Sequence, residues 1–403
     1  MKTIVIIGAG ASGMMAALTA AEASGNRVIL LERQQRVGRK LLATGNGRCN
    51  LSNTGATPAN YHGERSGFAD AALSMFPPKA ALEYFRSLGL VTVEEWGGRV
   101  YPLSNSANSV VDVLRFALEK AGVELHTACP VREIKRRGNG FTVVTDEAVF
   151  EADKHIVACG GAAGAKLGGV TDGYTLLAPL GHTRTKLYPA LVQLVTAPEY
   201  PRALKGVRAD GAIKLLSGAR VLAESAGELQ FTDNGLSGPA VYDISRVASL
   251  WVGKAEVELD FMRNFSLDEV FALLKARRDR FPLLSSQELF TGMLHNRLGR
   301  MLVKYSGLPS AALLSQLSDA QLLHAAESCK SFRLSLTGTA GFDSAQVTAG
   351  GLKTEDFDPN TLESRLVKGL FVCGELLDVD GDCGGYNLQW AWASGRLAGR
   401  LGL

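Results

Sequence analysis

The chain opens with IVIIGAGASG at residues 4–13, and this stretch decides the fold. Four apolar residues lead directly into the pattern Gly8-x-Gly10-x-x-Gly13, and the helix-forming run MMAALTAAEA follows. A strand, a glycine turn and a helix in this order are typical of a dinucleotide-binding βαβ unit. In such a unit the turn admits a pyrophosphate and the start of the helix attracts its charge. The sequence therefore predicts a dinucleotide site near the N-terminus.

A second strand, RVILLE, ends at Glu32, 19 residues after Gly13. A carboxylate at this position can accept hydrogen bonds from a ribose. A lone glycine pattern is weak evidence, because glycine-rich turns are common. Strand, turn, helix, strand and acid in register are a strong signal, and together they predict the first βαβ unit over residues 3–32.

Composition is that of a globular enzyme. The chain has 403 residues, 46% hydrophobic and 21% charged, which is enough for two or three domains. The net charge of +3 argues neither for nor against an anionic partner. Six cysteines are scattered without a C-x-x-C pair, so neither a zinc knuckle nor a dithiol motif is predicted. Free thiols are typical of a reducing cytosol.

The N-terminal apolar run is short and contains the glycine pattern, so we interpret it as part of the fold and not as a signal peptide. No apolar stretch reaches the length that a bilayer span requires. Together with the cysteine pattern, these features predict a cytoplasmic protein.

Further elements follow the first unit. Helical patterns are predicted at 78–88 and 108–121, the second with Asn108 as its candidate N-cap. A hairpin is predicted around the turn Gly97-Gly98. The polar, basic stretch 33–55 is predicted to be a long functional loop.

The middle of the chain has a different pattern. Residues 191–260 alternate between apolar and polar side chains, which predicts half-buried antiparallel strands in a small barrel or sandwich. Residues 266–330 are mostly helical in pattern. Apolar runs at 155–163 and 370–373 predict two further strands of the nucleotide-binding fold, so the middle is an insertion. We predict domain boundaries of 1–190, 191–335 and 336–403.

Several longer segments carry a family resemblance. GRKLLATGNGRCNLSN, FTDNGLSGPAV and CGELLDVDGDCGGYNLQWAWASG occur in order and, with others, span nearly the whole chain. In these segments the chain resembles the HI0933-type flavoproteins, a family of NAD(P)/FAD-dependent oxidoreductases. The resemblance implies an α/β fold, a glutathione-reductase-like FAD-binding Rossmann domain with an inserted β-barrel and helical region.

The same resemblance implies FAD as cofactor and suggests where it lies. The first glycine turn would hold the pyrophosphate, Glu32 the ribose, and the backbone of Val131 the adenine. The start of the C-terminal helix would meet the ribityl chain and ring. The predicted cofactor-binding residues are Gly8, Ala9, Gly10, Ala11, Ser12, Gly13, Glu32, Arg33, Lys40, Gly45, Asn46, Gly47, Val131, Gly160, Gly161, Asp172, Gly374, Glu375, Gly385, Tyr386 and Asn387.

Reduction of a C=C bond by hydride also needs an acid to protonate the neighbouring carbon. Cys49 is one candidate, because the charge of Arg48 is expected to lower the pKa of its thiol. Cys383 is another, although its neighbour Asp382 is expected to raise the thiol pKa. Tyr386 is the third. A packing role is the alternative interpretation for each.

Two negative expectations concern ligands. Residues 378–382 have the D-x-D-x-D spacing of half a calcium loop, but no Glu occupies the twelfth position, so no metal is predicted. A second strand–GxGxxG–helix unit is absent from the sequence, so a separate nicotinamide domain is not predicted. Transient binding of NADH or NADPH at the open face of the flavin stays an alternative, and the sequence does not determine the electron donor.

The sequence leaves four functions open. The leading hypothesis is an FAD-dependent oxidoreductase that reduces an activated C=C bond of a small molecule. The second is an enzyme that forms dihydrouridine in ribosomal RNA. It is favoured by eight Lys and Arg against four Asp and Glu over 263–304, which predict a basic surface. The others are an amine oxidase that uses oxygen and a non-catalytic flavin-binding protein. Substrate identity and oligomeric state cannot be predicted from this sequence.

Overall fold

The opening strand lies in the middle of a five-stranded parallel sheet in the computed structural model, which describes residues 2–402. It pairs on one side with the strand that ends before Glu32 and on the other with a strand from the 155–163 region. In spatial order the strands are Leu370–Val372, Lys154–Val157, Lys2–Ile7, Asn26–Leu31 and Glu124–His126. The prediction that the runs near 155 and 370 return to the first sheet is confirmed.

Small residues let the two terminal helices approach closely. Helix Ala11–Glu22 packs against helix Tyr386–Gly399. A Cβ on Gly395 would lie 2.3 Å from the carbonyl oxygen of Ser12, and one on Gly399 would lie 2.6 Å from that of Ala16. Only a residue without a side chain fits at these contacts. The two ends of the chain therefore form a single unit.

The chain divides into two compact units. The split unit comprises residues 1–189 and 342–403, and the inserted unit comprises residues 190–341. The helices of the split unit are Ala11–Glu22, Arg39–Ala43, Asp70–Met75, Pro78–Ser87, Ala107–Lys120, Asp172–Leu177 and Tyr386–Gly399. Its strands outside the central sheet are Ser52–Asn53, Tyr61–His62, Thr92–Glu95, Arg99–Pro102, Val131–Arg137, Gly140–Thr145, Val149–Ala152, Val347–Ala349 and Asp380–Gly381, and Tyr188–Ala190 ends at its boundary.

Two sequence-based expectations for the split unit need correction. The helix predicted at 108–121 begins at Ala107, and Ser106 occupies the N-cap position with extended backbone, so Asn108 already lies in the first turn. The predicted loop 33–55 contains the helix Arg39–Ala43. That helix follows Gly38, which has a φ of 67° and donates its N–H to the carbonyl of Ala9 at 2.9 Å. The hairpin around Gly97-Gly98 is confirmed by antiparallel pairing of Thr92–Glu95 with Arg99–Pro102.

The inserted unit is built on a closed six-stranded barrel, which confirms the predicted β-barrel. Its core includes the fully buried side chains of Phe231, Val257 and Phe332. Two of the alternating segments within 191–260 form one long strand, Arg220–Phe231. In spatial order the barrel strands are Leu194–Thr196, Gly235–Ser237, Arg220–Phe231, Arg208–Ser217, Ala255–Asp260 and Phe332–Thr339.

Helices cover the remaining length of the inserted unit. Two of them begin with reciprocal caps: Ser266 Oγ accepts the N–H of Glu269 at 3.2 Å, and Ser318 Oγ accepts that of Gln321 at 3.3 Å. The helices are Glu199–Ala203, Pro239–Leu250, Leu267–Arg280, Asn296–Tyr305 and Asp319–Lys330. Among residues 2–402, no helix combines the length and apolarity that crossing a membrane requires.

Candidate cofactor site and active site

In the first glycine turn, two glycines pack against backbone so closely that no side chain would fit, and the third faces open space. A Cβ on Gly8, where φ is 100°, would lie 2.4 Å from the carbonyl oxygen of Ala158. A Cβ on Gly13 would lie 1.8 Å from the carbonyl oxygen of Gly8. A Cβ on Gly10 would meet no atom within 4 Å. The turn therefore packs tightly on the sheet and leaves open space at Gly10, next to the helix start at Ala11 and Ser12, as a bound pyrophosphate requires.

Glu32 is fixed beside this turn by backbone amides. Its Oε2 accepts the N–H of Ala9 at 2.8 Å, and its Oε1 accepts the N–H of Gln34 at 2.8 Å. The residue is 9% exposed. Both oxygens keep further lone pairs, so the carboxylate can still accept the hydroxyls of a ribose. The ribose contact of Glu32 stays a prediction.

The predicted residues around the adenine end lie on neighbouring segments. The N–H of Cys129 donates to the carbonyl of Glu32 at 2.8 Å, and the strand that begins with half-buried Val131 follows. Arg33 donates to the carbonyl of Gly168 at 3.0 Å and lies 3.8 Å from the carboxylate of Asp172. Arg33 thus ties the end of the second strand to the helix Asp172–Leu177.

Lys40 and Glu375 meet as an ion pair across 335 positions of sequence, with Nζ 2.6 Å from Oε2. Oε1 of the same carboxylate accepts the N–H of Thr348 at 2.8 Å. Gly161 packs against this group, because its Cβ would lie 2.5 Å from Thr348 Oγ1. A Cβ on Gly160, by contrast, would meet nothing within 4 Å. Glu375 and Gly161 therefore both contact Thr348, and Lys40 joins this group through Glu375. The sequence did not single out Thr348.

Gly374 joins the last strand to the first helix. Its φ is 76°, and a Cβ there would lie 2.4 Å from Ser12 Oγ. Its N–H donates to Ser394 Oγ at 3.0 Å, and its carbonyl accepts Trp390 Nε1 at 3.1 Å. Serine and tryptophan inside a helix carry no distinctive sequence signal, so these contacts were missed.

The start of the C-terminal helix is held by two kinds of contact. A Cβ on Gly385, where φ is 102°, would lie 2.3 Å from the carbonyl oxygen of Ser52. The amide of Asn387 bonds both the N–H and the carbonyl of Gly381, each at 2.8 Å. The carbonyl of Tyr386 accepts the hydroxyl of Tyr61 at 3.1 Å. The side chain of Asn387 thus orders loop 381–385 in this structure.

The predicted ring-side loop at 45–49 is a run of left-handed backbone. Gly45, Asn46, Gly47 and Cys49 have φ values of 57°, 56°, 85° and 61°. Positive φ is tolerated by Asn but uncommon for Cys, and such backbone is often found where a functional loop is held by its surroundings. A Cβ on Gly45 would lie 2.9 Å from the amide nitrogen of Asn50, so the loop folds back tightly on itself.

The environment of Cys49 differs from the expectation. Its side chain is fully buried, and burial raises the pKa of the thiol to about 12. Arg48 does not lower that pKa: its guanidinium lies 4.0 Å from the centre of the Tyr101 ring and bonds Glu95 and Asn105. The expected activation by Arg48 is therefore wrong, because the charge is neutralised elsewhere. Its role as an acid stays a prediction.

Cys383 is half-buried in loop 381–385. The carbonyl of the next residue, Gly384, accepts Asn53 Nδ2 at 2.9 Å, and the same amide group donates to the carbonyl of Gly97 at 3.0 Å.

Across residues 2–402, no group of three or more His, Cys, Asp or Glu side chains is arranged to hold a metal ion.

Several basic side chains on the helices of the inserted unit bond other groups of that unit. Lys275 and Arg278 both bond the carboxylate of Asp319, at 2.8 and 2.7 Å. Arg300 pairs with Glu288 at 2.8 Å. Arg297 donates to the backbone carbonyls at 203 and 205. Much of the charge that suggested a phosphate-binding surface is therefore engaged with the protein.

Comparison with known proteins finds relatives over nearly the whole chain. The family model described as HI0933-like protein Rossmann domain matches residues 2–401. A protein of Clostridium scindens named 3-dehydro-bile acid delta(4,6)-reductase is 43% identical, covering 99% of this chain and 98% of its own. The ribosomal RNA dihydrouridine synthase of Escherichia coli is 32% identical, covering 97% of this chain and 95% of its own.

The open space at Gly10 and Gly160, together with the fixed carboxylate of Glu32, fits an extended dinucleotide along the split unit. The family match covers that whole unit. The chain belongs to the HI0933-like family, and it is an FAD-dependent oxidoreductase.

Proposed function

We propose that the protein reduces a C=C bond conjugated to a ketone in a small polycyclic molecule. The observation that carries this proposal is the 43% identity, over 99% of the chain, to a reductase whose name specifies a 3-dehydro-bile acid. An activated double bond of this kind accepts hydride at one carbon and a proton at its neighbour.

The split unit supplies the binding site. The amides at the start of helix Ala11–Glu22 would hold the pyrophosphate, and Glu32 would hold a ribose. The ion pair of Lys40 and Glu375 would lie along the cofactor. Bound FAD supplies the hydride chemistry that side chains cannot perform. The protein contributes orientation, exclusion of water and control of protons.

The C-terminal helix contributes electrostatics. Gly385 is its N-cap residue, and the first turn begins at Tyr386. The start of a helix carries a partial positive charge and unpaired N–H groups. Gly385, Tyr386 and Asn387 would therefore stabilise negative charge at the ring end of the site. Gly385 also allows the backbone to approach closely, because no side chain fits between it and Ser52.

The identity of the proton donor is a separate question. Cys49, Cys383 and Tyr386 are the candidates from the sequence. Burial of Cys49 keeps its thiol protonated at neutral pH but also removes it from open space. A Cys49→Ser variant tests the thiol directly, because retention of the wild-type rate with the true acceptor excludes it as the acid.

NADH or NADPH is the electron donor that we propose, bound transiently at the exposed side of the cofactor. This choice rests on the family resemblance and on the absence of a second glycine pattern in the sequence. Both nicotinamides are reductants of the cytoplasm, so the proposal agrees with the location that the cysteine pattern predicts.

Ribosomal RNA is the second candidate substrate. Two relatives, 32% and 28% identical, are named ribosomal RNA dihydrouridine synthase. The C5=C6 bond of uracil is also conjugated to a carbonyl, so the chemistry is of the same type. Against it stand the lower identity and the internal pairing of the basic side chains at 275, 278 and 300.

Anaerobic half-reactions distinguish these proposals. Purified holoprotein is reduced with NADH or NADPH, and the return of the oxidised flavin spectrum is then followed with four acceptors. We expect rapid reoxidation by a steroid enone and none by the matching saturated ketone. Reoxidation by ribosomal RNA, or by an imine, without any reaction with the enone would contradict the proposal. A spectrum that no donor or acceptor changes would favour a non-catalytic flavin protein.

A further inference from the structure

His62 and Asp382 form a hydrogen-bonded pair in the split unit. His62 Nε2 lies 2.7 Å from Asp382 Oδ1, and Asn60 Nδ2 donates to Asp382 Oδ2 at 3.0 Å. Both oxygens of the carboxylate are therefore engaged by neighbours from a single short segment. Neither the family pattern nor the sequence analysis assigned a role to His62.

Backbone pairing fixes this arrangement. Strand Tyr61–His62 pairs antiparallel with Asp380–Gly381, with His62 opposite Asp380. The N–H of Asp382 donates to the carbonyl of Asn60 at 3.0 Å. The carbonyl of Asp382 accepts from Asn387 Nδ2 at 3.3 Å. The imidazole is thus held to the loop that leads directly into the ring-end residues Gly385, Tyr386 and Asn387.

The pair is partly open to solvent, unlike the thiol of Cys49 and the hydroxyl of Tyr61. The side chains of His62 and Asp382 are 35% and 40% exposed, whereas Cys49 is fully buried. The hydroxyl of Tyr61 is directed inward, where it donates to the carbonyl of Tyr386, and burial raises its pKa. Of these side chains, His62 is the one that an incoming small molecule can reach.

The carboxylate also selects which nitrogen exchanges a proton. Because Nε2 faces Asp382, the carboxylate favours a proton on that nitrogen. The second nitrogen, Nδ1, is then the ring position left to exchange a proton with an incoming group. An imidazolium that loses its Nδ1 proton becomes the tautomer that Asp382 stabilises. The same logic lets a carboxylate orient a catalytic histidine in hydrolases.

We propose that His62 is the proton donor of the reduction and that Asp382 is its positioning residue. This inference rests on the proposed function, in which reduced nicotinamide is the source of electrons. The FAD that NAD(P)H has reduced would supply the hydride that forms a C–H bond at the β-carbon of the enone, and the π pair would move toward the α-carbon and the carbonyl oxygen. The Nδ1–H bond of His62 breaks, its electron pair stays on the ring, and a C–H bond forms at the α-carbon. Solvent then returns the proton to His62.

The kinetic test separates the two half-reactions of the holoenzyme. In His62→Gln, reduction by NAD(P)H stays within about twofold of wild type, while reoxidation by the enone slows about 100-fold, the usual scale of general-acid catalysis. Added imidazole restores part of the lost rate. Asp382→Asn slows reoxidation about tenfold, a fraction of the same effect. His324→Gln is the matched control, since His324 also contacts a carboxylate, that of Glu327 at 3.4 Å, within the inserted unit.

A second readout does not depend on turnover. Acylation of histidines by diethylpyrocarbonate is mapped by mass spectrometry with and without a saturated ketone analogue. We expect the analogue to slow modification of His62 at least about fivefold and to leave that of His324, which is 62% exposed, unchanged. His62→Asn replaces the glutamine variant if the latter does not retain FAD.

The outcomes separate the two claims. The proton-donor role is overturned if the enone reoxidises wild type and the His62→Gln variant equally fast and the analogue does not protect His62 from acylation. If no enone reoxidises the reduced flavin of the wild-type protein, the proposed function is overturned. The same comparison is then made with whichever acceptor does reoxidise the flavin, and an unchanged variant rate there again excludes His62.

Discussion

The glycine turn at 8–13 and the loop at 381–387 hold opposite ends of the proposed cofactor site, yet they are built differently. In the N-terminal turn, bare backbone meets backbone, as at Gly13 against the carbonyl of Gly8. In the C-terminal loop, side chains from distant segments fix the backbone, as Asn53 does by donating to the carbonyl of Gly384 at 2.9 Å. The first kind of contact is encoded by which residues are glycine. The second is encoded by partners far apart in sequence.

The largest effect is expected where the turn is closed. Gly13→Ala places a Cβ 1.8 Å from the carbonyl oxygen of Gly8, so the backbone must shift. We expect a loss of roughly 3 kcal/mol in the free energy of unfolding, the upper end for overpacking, together with loss of FAD. Chemical denaturation and the flavin content of the purified protein measure both.

Gly10→Ala is the matched control for that variant. Its φ is −82° and no protein atom lies within 4 Å of the added Cβ. The apoprotein should therefore unfold within about 0.5 kcal/mol of wild type, as for a surface substitution, while FAD affinity falls. Equal FAD affinity in Gly10→Ala and wild type would show that the open space is not the pyrophosphate site.

Glu32→Gln tests the ribose contact. Both carboxylate oxygens accept backbone N–H groups, those of Ala9 and Gln34. In a glutamine one oxygen becomes an NH₂ group, which would face one of these N–H donors and could not accept its hydrogen bond. Loss of a charged acceptor costs about 1.5–3 kcal/mol, which corresponds to a 10- to 100-fold weaker FAD affinity. Quenching of flavin fluorescence on binding gives the constant. Glu124→Gln, an exposed acid on the same sheet that pairs with Arg27 at 2.7 Å, should leave FAD affinity unchanged.

Asn387→Ala tests the loop at the other end. It removes two hydrogen bonds to Gly381, each worth about 1 kcal/mol. We expect loop 381–385 to exchange its amide hydrogens faster in the variant, with a smaller change in global stability than Gly13→Ala causes. Asn387→Asp keeps the acceptor for the N–H of Gly381, so its rate of hydrogen exchange in the loop should lie between those of wild type and Asn387→Ala. Unchanged hydrogen exchange in Asn387→Ala would show that other contacts order the loop.

The smallest effect is an alkaline one at Cys49. Burial raises the pKa of its thiol from its ordinary value of 9.0 to about 12, so the unfolded chain releases this proton first as pH rises. The contribution to stability is complete below pH 9 and declines between about pH 9 and 12. Between pH 7 and pH 10 the free energy of unfolding should fall by about 1 kcal/mol less in Cys49→Ser than in wild type. Parallel stability curves for the two proteins would contradict the buried position.

These contrasts also explain what the sequence could predict. Gly8, Gly10 and Gly13 fall at fixed spacing between a strand and a helix, so the βαβ unit is visible from local pattern alone. Alternation over 191–260 likewise predicts barrel strands, because one face of each strand is buried. Both expectations about the fold are confirmed by the sheet and barrel orders.

Contacts between distant segments could not be predicted. Thr348, Ser394 and His62 are ordinary residues in their local sequence, and their contacts arise only when the chain brings them to Glu375, Gly374 and Asp382. The activation of Cys49 by Arg48 was wrong for the same reason, since proximity in sequence did not reveal that Glu95 and Asn105 bind the guanidinium. Local helix signals were also misjudged by a residue or two, as at Asn108.

The central claim is that both ends of the chain hold one FAD. Titration of the apoprotein with FAD, for wild type and for Gly374→Ala, tests it most directly. The added Cβ would lie 2.4 Å from Ser12 Oγ on backbone with a φ of 76°, so a C-terminal change perturbs the N-terminal turn. We predict one FAD per wild-type chain and at least about tenfold weaker binding in the variant, about 1.4 kcal/mol. A wild-type chain that binds no FAD, or a variant that binds it equally well, would contradict the account.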